Sequence, residues 1–494
     1  MNTIYIADPS LISFEGHHYA LSKVFSDALL PHSHTIVWLA NIKCDIGSES
    51  GYSVKKIFSD DVYSTFKREI FTEKNTIQKR IKRKIKKTII YIKNNPNFIG
   101  KISRKSYQIL PECFIKEKLR TRFTSQHTAF PDRVQNRVQT QSMLFASELS
   151  AAVKRLNMTS SDAIFFHSSV ASTYAAIIHF FNFFPVAQWG ALPSIHLSTP
   201  YDEKIMIGNA QTSLASRSIQ RLHAWNLLNS KIFLYAENDL LAAELSKNWG
   251  TRVQPLFIPV ARAQPAPPSA PTVTVAYLGA ARHEKGFVFI ADAISQFLKS
   301  NKRTDCRFII QASAQIVGLH PDIAEARNLL DAVQDPRLQI VTTPLDETQY
   351  EELVQTADIV LLCYDPARYR IRSSGIVLEA ALRGKVCLCS QGSFMAHFAD
   401  IPGTAVEYGS VESFIERLEF ALDNFSQLSG KAGILAKQLE QRVDIRWFAD
   451  FISEIQNRTY DLNVAPCSVE CSEFDFKHHR LIGVQHEEGL DSRR

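Results

Sequence analysis

The first run of residues equipped for chemistry is Tyr277-Leu278-Gly279-Ala280-Ala281-Arg282-His283-Glu284-Lys285-Gly286-Phe287: a strand end, a turn of small residues, two cations and a helix start. Small residues let the backbone approach an anion, and a helix N-terminus offers unpaired N–H groups. Arg282 and Lys285 add positive charge where a diphosphate would sit. The turn has neither P-loop nor GxGxxG spacing, so its other reading is a solvated connection between strand and helix. The second run is Tyr369-Arg370-Ile371-Arg372-Ser373-Ser374-Gly375-Ile376-Val377-Leu378-Glu379-Ala380, followed by Ala381-Leu382-Arg383-Gly384-Lys385-Val386. Ser373 or Ser374 is placed to cap a helix. Glu379, one to two turns in among apolar neighbours, is either a surface residue or a carboxylate accepting two hydrogen bonds from a sugar or ribose diol.

Histidines near strand ends form a second group. His167 closes Asp162-Ala163-Ile164-Phe165-Phe166-His167 and is read either as a structural residue or as one that hydrogen-bonds a hydroxyl or moves a proton. His17 and His18, after Gly16 in Phe14-Glu15-Gly16-His17-His18-Tyr19, either line a cleft or are ordinary loop residues. His196, in PSIHLST, is a weaker candidate of the same kind, and Ser168 or Ser169 reads as a helix cap rather than a nucleophile. Metal chemistry gains no support: Cys387 and Cys389 alternate along an apolar run as core residues do, and Cys467 and Cys471 lack partner ligands.

These residues need a frame, and the sequence supplies one. Short β-branched or aromatic runs alternate with helical patterns: TIYIA, HTIVWLA, DAIFFH and KIFLYA before Pro259, then VTVAYLG, CRFIIQAS, RLQIVTT, DIVLLCY and KVCLCS. Parallel strands need crossover helices, so this order predicts α/β architecture with two Rossmann-like doubly wound domains facing a cleft, ligands lying at the carboxyl ends of the strands. The expected boundaries are 1–261 for a first domain, 262–271 for a linker with four prolines in ten residues, and 272–428 for a second domain. A closing helix is expected at 429–460, with Ile445, Phe448 and Ile452 on one stripe, and a disordered tail at 461–494.

The chain has 494 residues, 45% of them hydrophobic, enough for two or three domains. Its net charge of +6 is unevenly spread: the segment from Lys74 to Lys105 holds 12 basic residues and no acid, leaving a mildly acidic remainder. Ile77, Ile81, Ile85, Ile89 and Ile92 recur there at mostly four-residue spacing, which predicts a basic amphipathic helix. It is read as an interfacial element on an anionic membrane surface, with an inserted helix packed on its own domain as the other reading; nucleic acid is not expected, because aromatic interleaving is sparse. Eight scattered cysteines suit a reducing compartment. The start reads as a buried strand rather than a secretion signal, and the Val170 to Phe184 stretch as a core helix rather than a span. A cytoplasmic location, peripheral on the inner face of the membrane, is the resulting expectation.

Together, the two motif segments resemble the second domain of GT-B glycosyltransferases of the family 4, or group 1, type. Gly279, Lys285 and Gly286 match its strand-Gly-Lys-Gly turn, and Gly375 to Val386 approximates its GxxLxEAxAxGxPV helix-turn-strand. The resemblance implies sugar transfer from a UDP- or GDP-sugar to a glycan or lipid-linked acceptor, with retention of configuration, in envelope or surface polysaccharide synthesis. It implies no metal and no cofactor, the nucleotide sugar being a substrate. Lys285 becomes the first choice for the phosphates, with Arg282 displaced from the family's arginine position, and Glu379 matches the ribose-holding glutamate. The family's first glutamate is replaced by Ile371, so donor contacts are expected from Arg372, Ser373, Ser374 and the Gly375 amide. The resemblance makes 272–428 the donor domain and 1–261 the acceptor domain, with Gly16, His17 and His18 on the acceptor side, and Lys285, Arg282 and His167 are the residues expected to act in catalysis. A catalytically decayed GT-B-like binding protein, or a membrane-associated scaffold built on the basic helix, are the other readings.

Overall fold

The structure is a computed structural model, and it describes residues 3–13, 17–32, 34–47, 51–60, 129–200, 212–260, 272–300, 303–312 and 321–457. Gly16, the basic segment 74–105, the linker 262–271 and the tail 461–494 lie outside the described residues.

The alternation seen in the sequence folds into two parallel sheets. The first takes strands β1 (Thr3–Asp8), β2 (Thr35–Asn41), β3 (Ser53–Phe58), β4 (Ala163–Phe166), β5 (Ser194–Thr199), β6 (Ile232–Ala236) and β7 (Gln254–Pro255), in the order β3-β2-β1-β4-β5-β6-β7. The second takes β8 (Val273–Tyr277), β9 (Cys306–Gln311), β10 (Leu338–Val341), β11 (Ile359–Leu362), β12 (Val386–Ser390) and β13 (Ala405–Val406), in the order β10-β9-β8-β11-β12-β13. Every pairing in both sheets is parallel. Each order reverses direction once, between β1 and β4 and between β8 and β11, and these reversals open the crevices where doubly wound folds bind ligands.

Helices cover both faces of the first sheet: α1 (His17–Leu29), α2 (Ala129–Arg155), α3 (Ala171–Asn182), α4 (Thr212–Ala224) and α5 (Asp239–Trp249). Ten residues of α3 are buried, so the apolar stretch read as a core helix is one. In the second unit stand α6 (Phe287–Ser300), α7 (Pro321–Asp331), α8 (Glu347–Thr356), α9 (Pro366–Tyr369), α10 (Gly375–Leu382), α11 (Phe394–Phe398) and α12 (Val411–Asp423). Local signals fix several ends. Asn238 caps α5 by accepting from the Leu241 N–H at 2.9 Å, and Gly250 ends it in the left-handed region. Asp346 and Gln349 form a reciprocal capping box that starts α8.

The segment expected as one closing helix is two, α13 (Phe425–Arg442) and α14 (Arg446–Asn457). The break lies at Val443-Asp444-Ile445, where the Asp444 carboxylate accepts the Arg446 N–H at 2.9 Å and starts a new helix. The purpose of the break is visible in the packing. α13 lies on the second sheet, whereas the chain then turns back and α14 buries Phe448, Ala449, Ile452 and Ile455, with Ile445, in the core of the first. The stripe read from the sequence is therefore real, and its target is the amino-terminal sheet. Phe448 packs on Phe165, His196 and Tyr235 with ring centroids 5.1, 5.9 and 5.1 Å away.

Candidate active site

On the second sheet, the residues singled out from the sequence gather at the carboxyl ends of β8 and β11. The β8 to α6 turn requires its glycines. Gly279 has φ +87°, and a Cβ there would stand 2.7 Å from Ile376 Cδ1 and 3.1 Å from Lys285 Nζ. Gly286 has φ +73°, and a Cβ would run into the Cys363 carbonyl oxygen at 2.1 Å. These close approaches bring the Lys285 turn, the β11 exit and the start of α10 together. Gln311 accepts the Gly279 N–H at 2.5 Å and fixes the turn from β9.

Lys285 is partly buried and sits 5.3 Å from the centroid of the Tyr364 ring. Burial lowers its pKa to about 8; the charges of Arg282 and Arg372 push the same way, while Glu284 and Glu379 oppose them. The site thus brings three cations, Lys285, Arg282 and Arg372, close to two carboxylates, Glu284 and Glu379. Arg282 is half exposed, its guanidinium 3.8 Å from the Glu284 carboxylate, so it is available to a ligand but less fixed than Lys285.

Glu379 lies one turn into α10, and its Oε2 accepts the Tyr350 hydroxyl at 2.9 Å. Burial raises its pKa, against the pull of Tyr350 and Arg383. Arg383 in turn donates to both Glu351 oxygens at 2.9 and 2.7 Å and to the Glu379 carbonyl at 3.2 Å, tying α8 to α10. Gly375, the first residue of α10, leaves the Glu379 carboxylate uncovered: a Cβ would come 4.0 Å from its Oε1. Ser374 is the N-cap residue, although its side chain makes no capping bond, and Ser373 is buried behind it. Arg372 stacks over the Tyr369 ring at 5.0 Å. Gly279, Lys285, Arg282, Arg372 and Glu379 therefore lie near one another around the start of α10.

On the first sheet the carboxyl ends of β1 and β4 build a cluster around a residue that the sequence reading missed. Asp8 Oδ2 lies 2.9 Å from His18 Nδ1 and 3.2 Å from His167 Nε2. Burial alone would raise the Asp8 pKa, but His18 and His167 hold its carboxyl well below the usual carboxylate range. His167 is buried with both ring nitrogens engaged, Nε2 also 3.0 Å from Ser22 Oγ and Nδ1 3.0 Å from Ser168 Oγ. Ser22, Ser168 and Asp8 thus occupy both ring nitrogens of His167 within the protein. His18, at 20% side-chain exposure, is the ring of this cluster nearest to solvent. His17 opens α1.

His196 is not a cleft residue. It is fully buried inside β5, bonded to Ser194 Oγ and Tyr235 OH at 3.0 Å each and covered by α14, and burial drives its pKa down to about 3. The five described cysteines are buried free thiols, as expected of core residues. No group of three or more His, Cys, Asp or Glu among the described residues is suited to hold a metal. No helix among them is long and apolar enough to cross a membrane.

The two sheets meet at these ends. Asn238 Nδ2, after β6, donates to the Ile371 carbonyl at 2.9 Å, and the Ile371 side chain is buried in the core of the first sheet. Glu244 receives Arg370 at 2.5 Å, and Arg442 pairs with Asp239. Two doubly wound domains with their carboxyl ends apposed, and a C-terminal helix returned to the first, define the GT-B fold.

No family model and no curated protein sequence matches the chain. Solved structures do. A glycosyltransferase from Rickettsia africae aligns at 11% identity over 93% of this chain and 99% of its own, with a TM-score of 0.55. The E. coli trehalose-6-phosphate structure bound with UDP-2-fluoro glucose aligns at 10% identity over 93% and 100%, with a TM-score of 0.55. A UDP-forming α,α-trehalose-phosphate synthase from Burkholderia xenovorans aligns at 12% identity over 92% and 99%, with a TM-score of 0.54. The fold shared with these proteins is GT-B over nearly the whole of each chain.

Proposed function

We propose that this protein is a glycosyltransferase that takes its sugar from a nucleoside diphosphate sugar bound against the second domain. The observation that carries the reading is the pairing, at one sheet switch point, of a partly buried cation under a glycine turn, Lys285, with a carboxylate on the adjacent helix, Glu379. A diphosphate and a ribose diol are the groups that such a pair would hold together. In this reading Lys285, with Arg282 beside it, stabilises negative charge on the diphosphate as the bond to the sugar breaks, and the fixed dipoles of the turn need no reorganisation to do so.

The acceptor enters from the first domain, where Asp8, His18 and His167 form a polar floor. A glycan or lipid-linked hydroxyl suits the +12 segment between Lys74 and Lys105, which would bring the protein to an anionic membrane surface and to envelope polysaccharide synthesis. Retention of configuration follows from the family resemblance, and proton NMR of the product's anomeric signal tests it. The first experiment is a panel of UDP- and GDP-sugars followed for slow donor hydrolysis, with UDP and GDP melting shifts alongside. Donor turnover together with a shift by the matching nucleotide is expected; no shift and no hydrolysis with any member would refute the reading.

A further inference from the structure

Glu237 follows β6 at its carboxyl end and is 8% exposed. Its carboxylate makes no hydrogen bond or ion pair among the described residues. A buried carboxylate without donors is costly, and groups left in that state at a cleft call for an outside partner. Burial raises its pKa to about 7, opposed only by the charge of Arg372.

The surroundings say where that partner would lie. The next residue, Asn238, bonds Ile371 across the domain boundary at 2.9 Å. The charge of Arg372, the residue after Ile371, is felt by both Glu237 and Lys285, which places Glu237 on the Lys285 side of this boundary. Ser373, 7% exposed, also has a buried hydroxyl without a partner. An orphan acceptor and an orphan hydroxyl thus flank the same loop, one supplied by each domain.

Resting on the donor site proposed above, we infer that Glu237 and Ser373 form a subsite for hydroxyl groups of the transferred sugar, with Glu237 a specificity-determining residue reached from the opposite domain. The chemistry selects this class of ligand. A phosphate would be repelled by Glu237 and drawn to Lys285, while a neutral polyol offers O–H donors to the carboxylate and an acceptor to the Ser373 hydroxyl. Sequence reading passed over Glu237 because an acid after a buried strand, followed by Asn238 and Asp239, reads as the polar start of a helix.

The test separates sugar from nucleotide. Wild type, Glu237→Gln, Glu237→Ala and Ser373→Ala are titrated with UDP and GDP, then compared for kcat/KM on UDP-glucose, UDP-galactose, UDP-N-acetylglucosamine and GDP-mannose. We expect nucleotide affinity within twofold of wild type in every variant. For the donor used, kcat/KM is expected to fall about 10- to 100-fold in Glu237→Ala, the worth of a hydrogen bond to a charged group, and by less in Glu237→Gln. A monodeoxy donor should reproduce the loss in wild type and add nothing to it in Glu237→Ala. Unchanged kcat/KM in Glu237→Ala, or an equal loss of bare-nucleotide affinity, overturns the assignment. If Glu237→Ala does not fold, the isosteric Glu237→Gln decides on the same readouts. Failure of wild type to bind any nucleotide would instead refute the donor site itself, and the subsite with it.

Discussion

In the proposed donor site ligand binding and stability oppose each other at Lys285, and Lys285→Met exposes both sides. The native site holds the ammonium below its ordinary pKa, 10.5 lowered to about 8, chiefly by burial. At about 1.4 kcal/mol per pKa step, that costs the folded state up to about 3 kcal/mol when the group is charged. The sign follows from linkage. Below pH 8 both folded and unfolded chains carry the proton and the cost is fully present; from 8 to about 10.5 only the unfolded chain does, and native stability rises with pH. Methionine removes the charge while filling most of the volume, and it gives up the contact with the Tyr364 ring, worth about 1 kcal/mol. At pH 7 the variant should be more stable by about 1–2 kcal/mol, a rise in Tm of about 2–6 °C by calorimetry. The same change should weaken UDP or GDP binding about 10- to 100-fold by isothermal titration, since a charge-assisted contact to phosphate is gone. Wild-type affinity should fall as pH rises through 8, and the variant should lose that dependence. A lower Tm combined with undiminished nucleotide affinity would refute the reading of Lys285 as a desolvated phosphate ligand.

Tyr350→Phe removes the hydroxyl that donates to Glu379 and lowers its pKa. Nucleotide binding should weaken about threefold to tenfold, and its loss on acidification should move to higher pH, as read from Kd against pH. Phe448→Ala, in the helix that returns to the first domain, should cost about 3–5 kcal/mol of stability, seen in urea unfolding of the first domain. Cys363, Cys387 and Cys389 are fully buried, and burial pushes the Cys387 thiol up to about 12; mass spectrometry after alkylation should find all three unmodified in the native protein and labelled after denaturation.

The parallel sheets were legible because each strand is a short apolar run bounded by turn residues, and both crevices follow from strand order. The Lys285 turn was legible for a local reason: its glycines, cations and helix start are contiguous in sequence. Residues whose meaning depends on distant partners were not. His196 looks like a strand-end ligand until α14, arriving 250 residues later, covers it with Phe448. Asp8 is one acid after a strand, and only His18 and His167, brought in by α1 and β4, make it the hub of a cluster. The break between α13 and α14 carries no proline or glycine, and its cause is the separate sheets on which the two helices pack.

That break bears on how the site works. The chain passes between domains once before β8 and again between α13 and α14, so the two domains are joined by a pair of crossings rather than one. The contacts between the domains are both apolar and polar: the Ile371 side chain is buried in the core of the first sheet and Phe257 in that of the second, beside Asn238 to Ile371, Arg370 to Glu244 and Arg442 to Asp239. The exposed ion pairs can be exchanged for water at small cost, whereas the buried Ile371 and Phe257 hold the domains together. Glu237, buried after β6, and Lys285, partly buried after β8, are the ionisable groups on the two sides whose charge burial disfavours. Under the proposed function, a nucleotide sugar reaching from one to the other would give each of them a partner.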